Sequence, residues 1–412
     1  MRKLRICLIT HTHVASNPRL VKEADALHRA GFQVKVIYGD LMPAVRTLDK
    51  TILDKAPWPY TRIESGSPPV TMIRMALQKS ARIVASSGWI PHLSIAVWAH
   101  FRLTHKLASV ASMEPADLYI AHNLAALPAA AIAARRRQAR LGFDAEDFHI
   151  GELSDDPRDA TELAVRHKIE RTLLPFCEHL TAASPGIARA YHERYQVSMK
   201  PILNVFPLAE APASPERQGG DRCGPEPSIY WFSQTIGPGR GLEEIIKAAG
   251  RMRTRVRLHL RGTPASKYRE QLAEVARAAG LADRLHFLPP APPGEMVRLA
   301  ACHDMGLSVE PGRDLNNRLC LGNKIFTYLL AGVPFVMSRT PAQEEIAQDL
   351  GKAALLVDIH NTGLVAAALD GILSDQAKRK RARQMAWRLG QQRYNWDVEQ
   401  EQFLQSVTAT LN

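Results

Sequence analysis

Apolar positions change period twice in the first forty residues. Arg5 to Thr10 holds a short continuous apolar run, Ile6-Cys7-Leu8-Ile9, that predicts a buried strand. After the loop His11 to Ser16, Asn17 supplies an N-cap and Pro18 a first helical position. Leu20, Ala24 and Leu27 keep the helical spacing until Gly31 ends it, and Phe32 to Tyr38 returns to a strand. Strand-like runs recur at Leu118 to Ala121, Arg140 to Ala145 and His179 to Ala182, separated by segments that can be helical. This alternation predicts a parallel, doubly wound α/β sheet.

Between Asn204 and Ser228 the periodicity lapses into Pro207, Pro212, Pro215, Gly219, Gly220, Gly224, Pro225 and Pro227, which marks a domain boundary. The alternation then restarts. Strands are expected at Ile229 to Phe232, Arg255 to Arg261, Leu285 to Leu288, Met305 to Val309 and Pro334 to Met337. Helices are expected between them at Gly241 to Arg251, Lys267 to Ala279, Glu295 to Ala301 and Lys324 to Ala331. The expected division is a first domain over 1–205, a linker over 206–228 and a second domain over 229–385, with a segment 386–412 that could pack back onto the first domain. Two such domains would place ligands at the carboxyl ends of their strands, in a cleft between them.

Composition narrows the partners. The 412 residues include 46% hydrophobic and 23% charged positions, ordinary for a globular chain, and no run approaches the length of a bilayer span. Fifty-three Lys and Arg against 41 Asp and Glu give a net charge of +12, which predicts an anionic partner. Nucleic acid is disfavoured, because the basic residues are scattered, aromatics are only 6% and no recognisable nucleic-acid motif occurs. Cys7, Cys177, Cys223, Cys302 and Cys320 form no C-x-x-C pair, which argues against a disulfide framework or a zinc knuckle and for a cytoplasmic compartment. The amino-terminal apolar run is too short for a signal peptide.

Two segments carry candidate chemistry. Thr235-Ile236-Gly237-Pro238-Gly239-Arg240-Gly241 is a glycine-rich turn between a strand and a helix, where backbone N–H groups and Arg240 could meet a phosphate. An ordinary tight turn with a solvated arginine is the plain alternative, and neither G-x-G-x-x-G nor G-x-x-x-x-G-K-[ST] is present. Asn323-Lys324 opens a second helix, where a lysine opposes the helix dipole unless an anion shares the site. Two cationic helix starts in one domain suit a diphosphate.

With Asn17-Pro18-Arg19, Asp117 to Asn123, Ala183-Ser184-Pro185-Gly186, Gly237 to Glu243 and Asn323 to Pro334, the chain resembles the GT-B glycosyltransferases, in particular the retaining family four of bacterial cell-surface polysaccharide synthesis. The resemblance implies two Rossmann-like domains, the first binding an acceptor and the second a nucleotide diphosphate sugar, with no metal and no other cofactor. It implies that Gly237, Gly239, Arg240, Gly241, Asn323 and Lys324 bind the donor phosphates, and that His122 lies against the transferred sugar after domain closure. His11, Asn17, Arg19, Asn123 and Glu146 fall on the acceptor side. A capping role at a strand end is the plain alternative for His122.

Several positions depart from the family pattern. The two glutamates that many relatives carry fall here on Leu319 and Thr327, so Glu310 and Thr327 become the candidates for a ribose or sugar contact. The family's Gly-Arg after the first strand of the donor domain is Ser233-Gln234, and an Asp-x-His-Asp/Glu pattern is Asp144-Ala145-Glu146-Asp147. With no carboxylate placed as nucleophile, front-face attack is favoured over a covalent intermediate. A sugar-nucleotide epimerase of the same architecture and an inactive nucleotide-sugar-binding scaffold are the alternatives. The acceptor is expected to be a saccharide or a lipid-linked saccharide. No acidic residue occurs between Glu64 and Glu114, whereas Arg74, Lys79, Arg82, Arg102 and Lys106 occur with Trp89, Trp98 and Phe101, which suits an anionic membrane surface at the cytoplasmic face. Solvated helix faces are the plain alternative there, and for the run Lys378 to Arg383.

Overall fold

The computed structural model describes residues 2–87, 90, 92–154, 156–216 and 226–412. Trp89, Gly219, Gly220, Cys223, Gly224 and Pro225 lie outside the described residues. The chain forms two compact units, one of Met1–Ile202, Asp314–Asn316 and Gln400–Asn412, the other of Leu203–Arg313 and Asn317–Glu399. The second unit thus runs past the expected end at 385. The reason is packing: Gly390, in the helix Gln376–Gln392, leaves no room for a β-carbon against the backbone of Leu329 and Leu330.

The first unit holds seven strands: β1 (Arg5–Thr10), β2 (Gln33–Asp40), β3 (Tyr60–Glu64), β4 (Leu118–His122), β5 (Arg140–Ala145), β6 (His179–Ala182) and β7 (Lys200–Pro201). They are parallel in the order β3-β2-β1-β4-β5-β6-β7. The second unit holds β8 (Ser228–Ile236), β9 (Arg257–Pro264), β10 (Leu285–Leu288), β11 (Met305–Ser308), β12 (Phe335–Ser338) and β13 (Ala354–Val357), parallel in the order β10-β9-β8-β11-β12-β13. Strand order reverses between β1 and β4 in one unit and between β8 and β11 in the other, the points where such sheets bind ligands. β3 escaped the periodicity because it is an edge strand in which Ile63 alone turns inward. β13 is only four residues long, half-buried except at Val357. Cys7, Cys177, Cys302 and Cys320 form no disulfide.

Local signals explain the helix starts. Asn17 Oδ1 accepts from Leu20 N at 3.0 Å, with Pro18 following, and Ser184 Oγ accepts from Ile187 N at 3.1 Å before Pro185. The basic run near the carboxyl end is only partly a solvated face. Arg383 is buried and donates to the carbonyls of Pro215, His303 and Ala301, satisfying groups that the expected exposed helix would have left to water.

A buried acid in the first unit sets a pH dependence. Glu170 accepts from Tyr191 at 2.8 Å and Tyr195 at 2.5 Å, yet burial pushes its carboxyl up to about 7. The folded state then holds a proton that the unfolded chain has released, so stability falls as pH rises from the ordinary Glu range to about 7. Across that window the loss is on the order of 3 kcal/mol. In urea titrations, Glu170→Gln should flatten this decline, so its stability relative to wild type should improve steadily between pH 5 and 7.

Candidate functional site

In the second unit the expected donor residues gather at the end of β8 and β11. Gly239 and Gly241 have φ of +78° and +69°, the left-handed conformations that glycine adopts without strain. A β-carbon on Gly239 would overlap the Arg313 guanidinium, so that turn carries a second arginine laid against its backbone. Gly241 leads directly into the helix Leu242–Arg251.

From the other side, Lys324 stands in the first turn of the helix Asn323–Leu330, whose N-cap is Gly322. Its Nζ lies 3.2 Å from Glu310 Oε1 and 5.4 Å from the centre of the Trp231 ring. Arg240 Nη1 lies 3.7 Å from Glu310 Oε2. Glu310 follows β11, and its backbone N–H donates to Ser338 Oγ at 2.6 Å. One carboxylate therefore holds Arg240 and Lys324 together, and Arg313 lies against the backbone of the glycine turn. Guanidinium and ammonium groups gathered in this way suit the oxygens of a diphosphate.

Glu310, a candidate for a ribose or sugar contact, is a counter-ion to the two cations. Thr327 is wholly buried and its Oγ1 donates to the Asn323 carbonyl at 3.0 Å, the helix back-bond that a mid-helix threonine makes, so it is closed to a ribose. Asn323 is exposed at the helix start. Arg313 escaped the sequence reading because it lies 73 positions after Arg240 with no motif around it. At Ser233-Gln234 the strand register shifts by a bulge between Phe232 and Thr235, which leaves Gln234 exposed.

The first unit gathers a different set at the end of β1, β4 and β5. Arg19 is buried and binds Asp144 through Nε and Nη2, both at 2.7 Å, while Nη1 donates to the Ile202 carbonyl at 2.5 Å. Thr181 Oγ1 donates to Asp144 at 2.5 Å. His122 has 0% exposure, its Nε2 3.4 Å from Glu23 and its Nδ1 3.4 Å from Asp144. Burial alone would raise the Asp144 carboxyl, but Arg19 and His122 hold it well below the usual carboxylate range. Burial and the Asp144 charge push Glu23 the other way, well above it. Glu23, His122 and Asp144 bring ligand atoms within 4.8 Å of one another, a grouping able to take a cation, and the Arg19 guanidinium already supplies one there.

The His122 ring lies among carboxylates of its own unit. Arg19 is an internal counter-ion, and Asn17 is the helix cap expected from the sequence. The half-buried residues are His11, Asn123 and Glu146. His11 packs edge-on against Phe101 at 5.4 Å, and burial followed by the nearby His100 lowers it to about 4, so it is neutral at pH 7. Asn123, at φ +68°, donates to Glu146 at 3.2 Å. Burial and Asp144 raise Glu146 to about 8.

Comparison with known proteins places this geometry in context. Residues 226–375 match the family model for glycosyl transferases group 1. No curated protein matches the chain in sequence. Among solved structures, Anabaena HepE in complex with UDP and glucose has a TM-score of 0.74 at 16% identity, over 98% of this chain and 100% of that one. Sucrose-phosphate synthase from Thermosynechococcus elongatus has a TM-score of 0.71 at 14% identity, over 99% of each chain. A putative UDP-N-acetylglucosamine 2-epimerase from Listeria monocytogenes has a TM-score of 0.59 at 13% identity, over 99% of this chain and 97% of that one. The chain therefore has the GT-B fold, and within its second unit residues 226–375 match the glycosyl transferases group 1 model.

Proposed function

We propose that the protein transfers a sugar from a nucleotide diphosphate donor to a saccharide or lipid-linked acceptor, with retention at the anomeric carbon and without a metal ion. The observation that carries this reading is the convergence of Arg240, Lys324 and Arg313 at the switch point of the second sheet. Charge grows on the leaving diphosphate as the glycosidic bond breaks, and fixed cations there stabilise the transition state more than the ground state. The bond from the anomeric carbon to the phosphate oxygen breaks, the acceptor oxygen bonds that carbon from the same face, and the acceptor proton passes to the leaving phosphate. The pairing of Glu310 with two cations supports this route, since a carboxylate so engaged is a poor nucleophile. HepE, crystallised with UDP and glucose, supports a uridine nucleotide as the first donor to try.

Incubating the protein with labelled nucleotide sugars, with and without saccharide or lipid-linked acceptors, tests the reading. Transferase action predicts a glycosylated product and nucleoside diphosphate only when acceptor is present. A sugar-nucleotide product isomerised without acceptor would move the assignment to an epimerase. Donor binding with no turnover across the panel would move it to a scaffold.

The acceptor reading extends to a membrane surface serving glycolipid or cell-surface polysaccharide synthesis. The helix Pro68–Ser86 exposes Val70, Met72, Ile73, Met75, Leu77, Ile83 and Val84, nearly half of the exposed large hydrophobics among the described residues. It carries Arg74, Lys79 and Arg82 and no acid, although Arg82 is paired with Glu162. A helix with apolar and basic residues turned to solvent suits the headgroup region of an anionic bilayer. Of the expected aromatics, Phe101 is instead buried beneath His11, and Trp98 stacks on His105 at 4.5 Å. No helix among the described residues is long and apolar enough to cross a membrane. Flotation with phosphatidylglycerol vesicles should recover the wild-type chain, and Met72→Glu with Ile83→Glu should reduce recovery at least about tenfold. Equal recovery of both chains would remove the membrane role.

A further inference from the structure

One face of the second sheet carries chemistry that sugar transfer does not use. Ile229, Trp231, Leu258 and Leu260 enter the apolar core, so the alternate positions of β8 and β9 fall on the opposite face. Parallel sheets ordinarily bury both faces under aliphatic side chains. Here the in-register row across three strands is Tyr230, His259 and His286. His303 stacks on Tyr230 with ring centres 4.2 Å apart and lies 4.9 Å from His259.

Beside this row lies an open cavity of about 650 Å³, within the range of about 300–1,000 Å³ common for small-molecule sites. Arg257, Arg261, Arg269, His259, His286 and His303 line it, Phe287 and leucines form much of the rest, and among the described residues no carboxylate joins the lining. Glu226, 3.5 Å from Arg257, is the acid paired to this set. The fork of Arg261 is fixed by donation to Tyr230 Oη at 2.8 Å and to the Pro289 carbonyl at 2.7 Å. The Arg269 guanidinium sits 5.0 Å over the Phe287 ring. Arg240, Arg313, Glu310 and Lys324 take no part in the lining.

We propose that this cavity is a second anion site, which binds a phosphate-bearing small molecule. Guanidinium forks match the spacing of phosphate oxygens and give bidentate, charge-assisted hydrogen bonds, and the aromatic walls suit an organic substituent on that phosphate.

The test is calorimetric titration of inorganic pyrophosphate into the full chain carrying Lys324→Ala, which weakens the donor turn. One binding event should remain. Adding Arg269→Gln should weaken that event about tenfold, equivalent to about 1.4 kcal/mol, and Arg269→Lys should recover only part of it. Arg269 is exposed, so its replacement leaves the core intact, and an unchanged melting temperature in the same preparation checks this. Arg261→Gln, at another lining residue, should act in the same direction. Absence of pyrophosphate binding in the Lys324→Ala chain overturns the proposal, as does binding indifferent to both Arg269→Gln and Arg261→Gln. Binding that appears only with phosphatidylglycerol vesicles would assign a lipid headgroup and overturn it too.

Discussion

Replacing Lys324 with alanine should lower kcat/KM for the true donor by about 10²–10³-fold, the loss typical of removing one preorganised donor to a developing oxyanion. Lys324 is held between Glu310 at 3.2 Å and the Trp231 ring at 5.4 Å, so its ammonium reaches the phosphate position with little freedom left to lose. Arg240 is less confined, with 42% of its side chain exposed and a longer 3.7 Å contact to Glu310, so Arg240→Ala should cost less. The effect of Lys324→Ala should fall mainly on kcat if the charge is needed as the diphosphate leaves, and on KM if it serves ground-state binding alone. Steady-state kinetics of the two variants separates these outcomes. A change below about threefold for both would remove the phosphate role.

The second large effect is on stability. Arg19→Ala should destabilise the first unit by about 3–5 kcal/mol, because it leaves the wholly buried Asp144 carboxylate without its counter-ion. For a unit of this size that corresponds to a fall in melting temperature of roughly 6–20 °C. Asp144→Asn should cost less, since the amide still accepts from Thr181, and Glu23, 3.3 Å from Arg19, remains as that cation's counter-ion. Thermal unfolding followed by circular dichroism distinguishes the two. A melting temperature within about 2 °C of wild type for Arg19→Ala would show that the network is not holding the fold.

These two residues illustrate what the sequence could and could not convey. Lys324 was legible because a lysine at a helix start breaks a local rule, and Gly239 and Gly241 because their turn requires glycine. Arg19 and His122 were legible as polar residues next to strand ends, but a linear pattern cannot say whether such a group faces a ligand or another buried charge. Asp144, 125 positions from Arg19, decides that question. Arg313 was invisible for the same reason, its partner being a glycine backbone far away in sequence. The parallel α/β sheets followed from the alternation of elements, whereas β3 and β13 bury too few residues to announce themselves. Thr327 shows the opposite failure, a family position whose side chain is taken up by its own helix.

The central claim, that the second unit grips a nucleotide diphosphate through its switch-point cations, is tested most directly by calorimetric titration of UDP and other nucleoside diphosphates into the wild-type, Arg240→Ala and Lys324→Ala chains. The account predicts one nucleoside diphosphate bound with a stoichiometry of one at the switch point, and an affinity at least about tenfold weaker in Lys324→Ala. No binding across the panel, or an affinity unchanged in both variants, would contradict it.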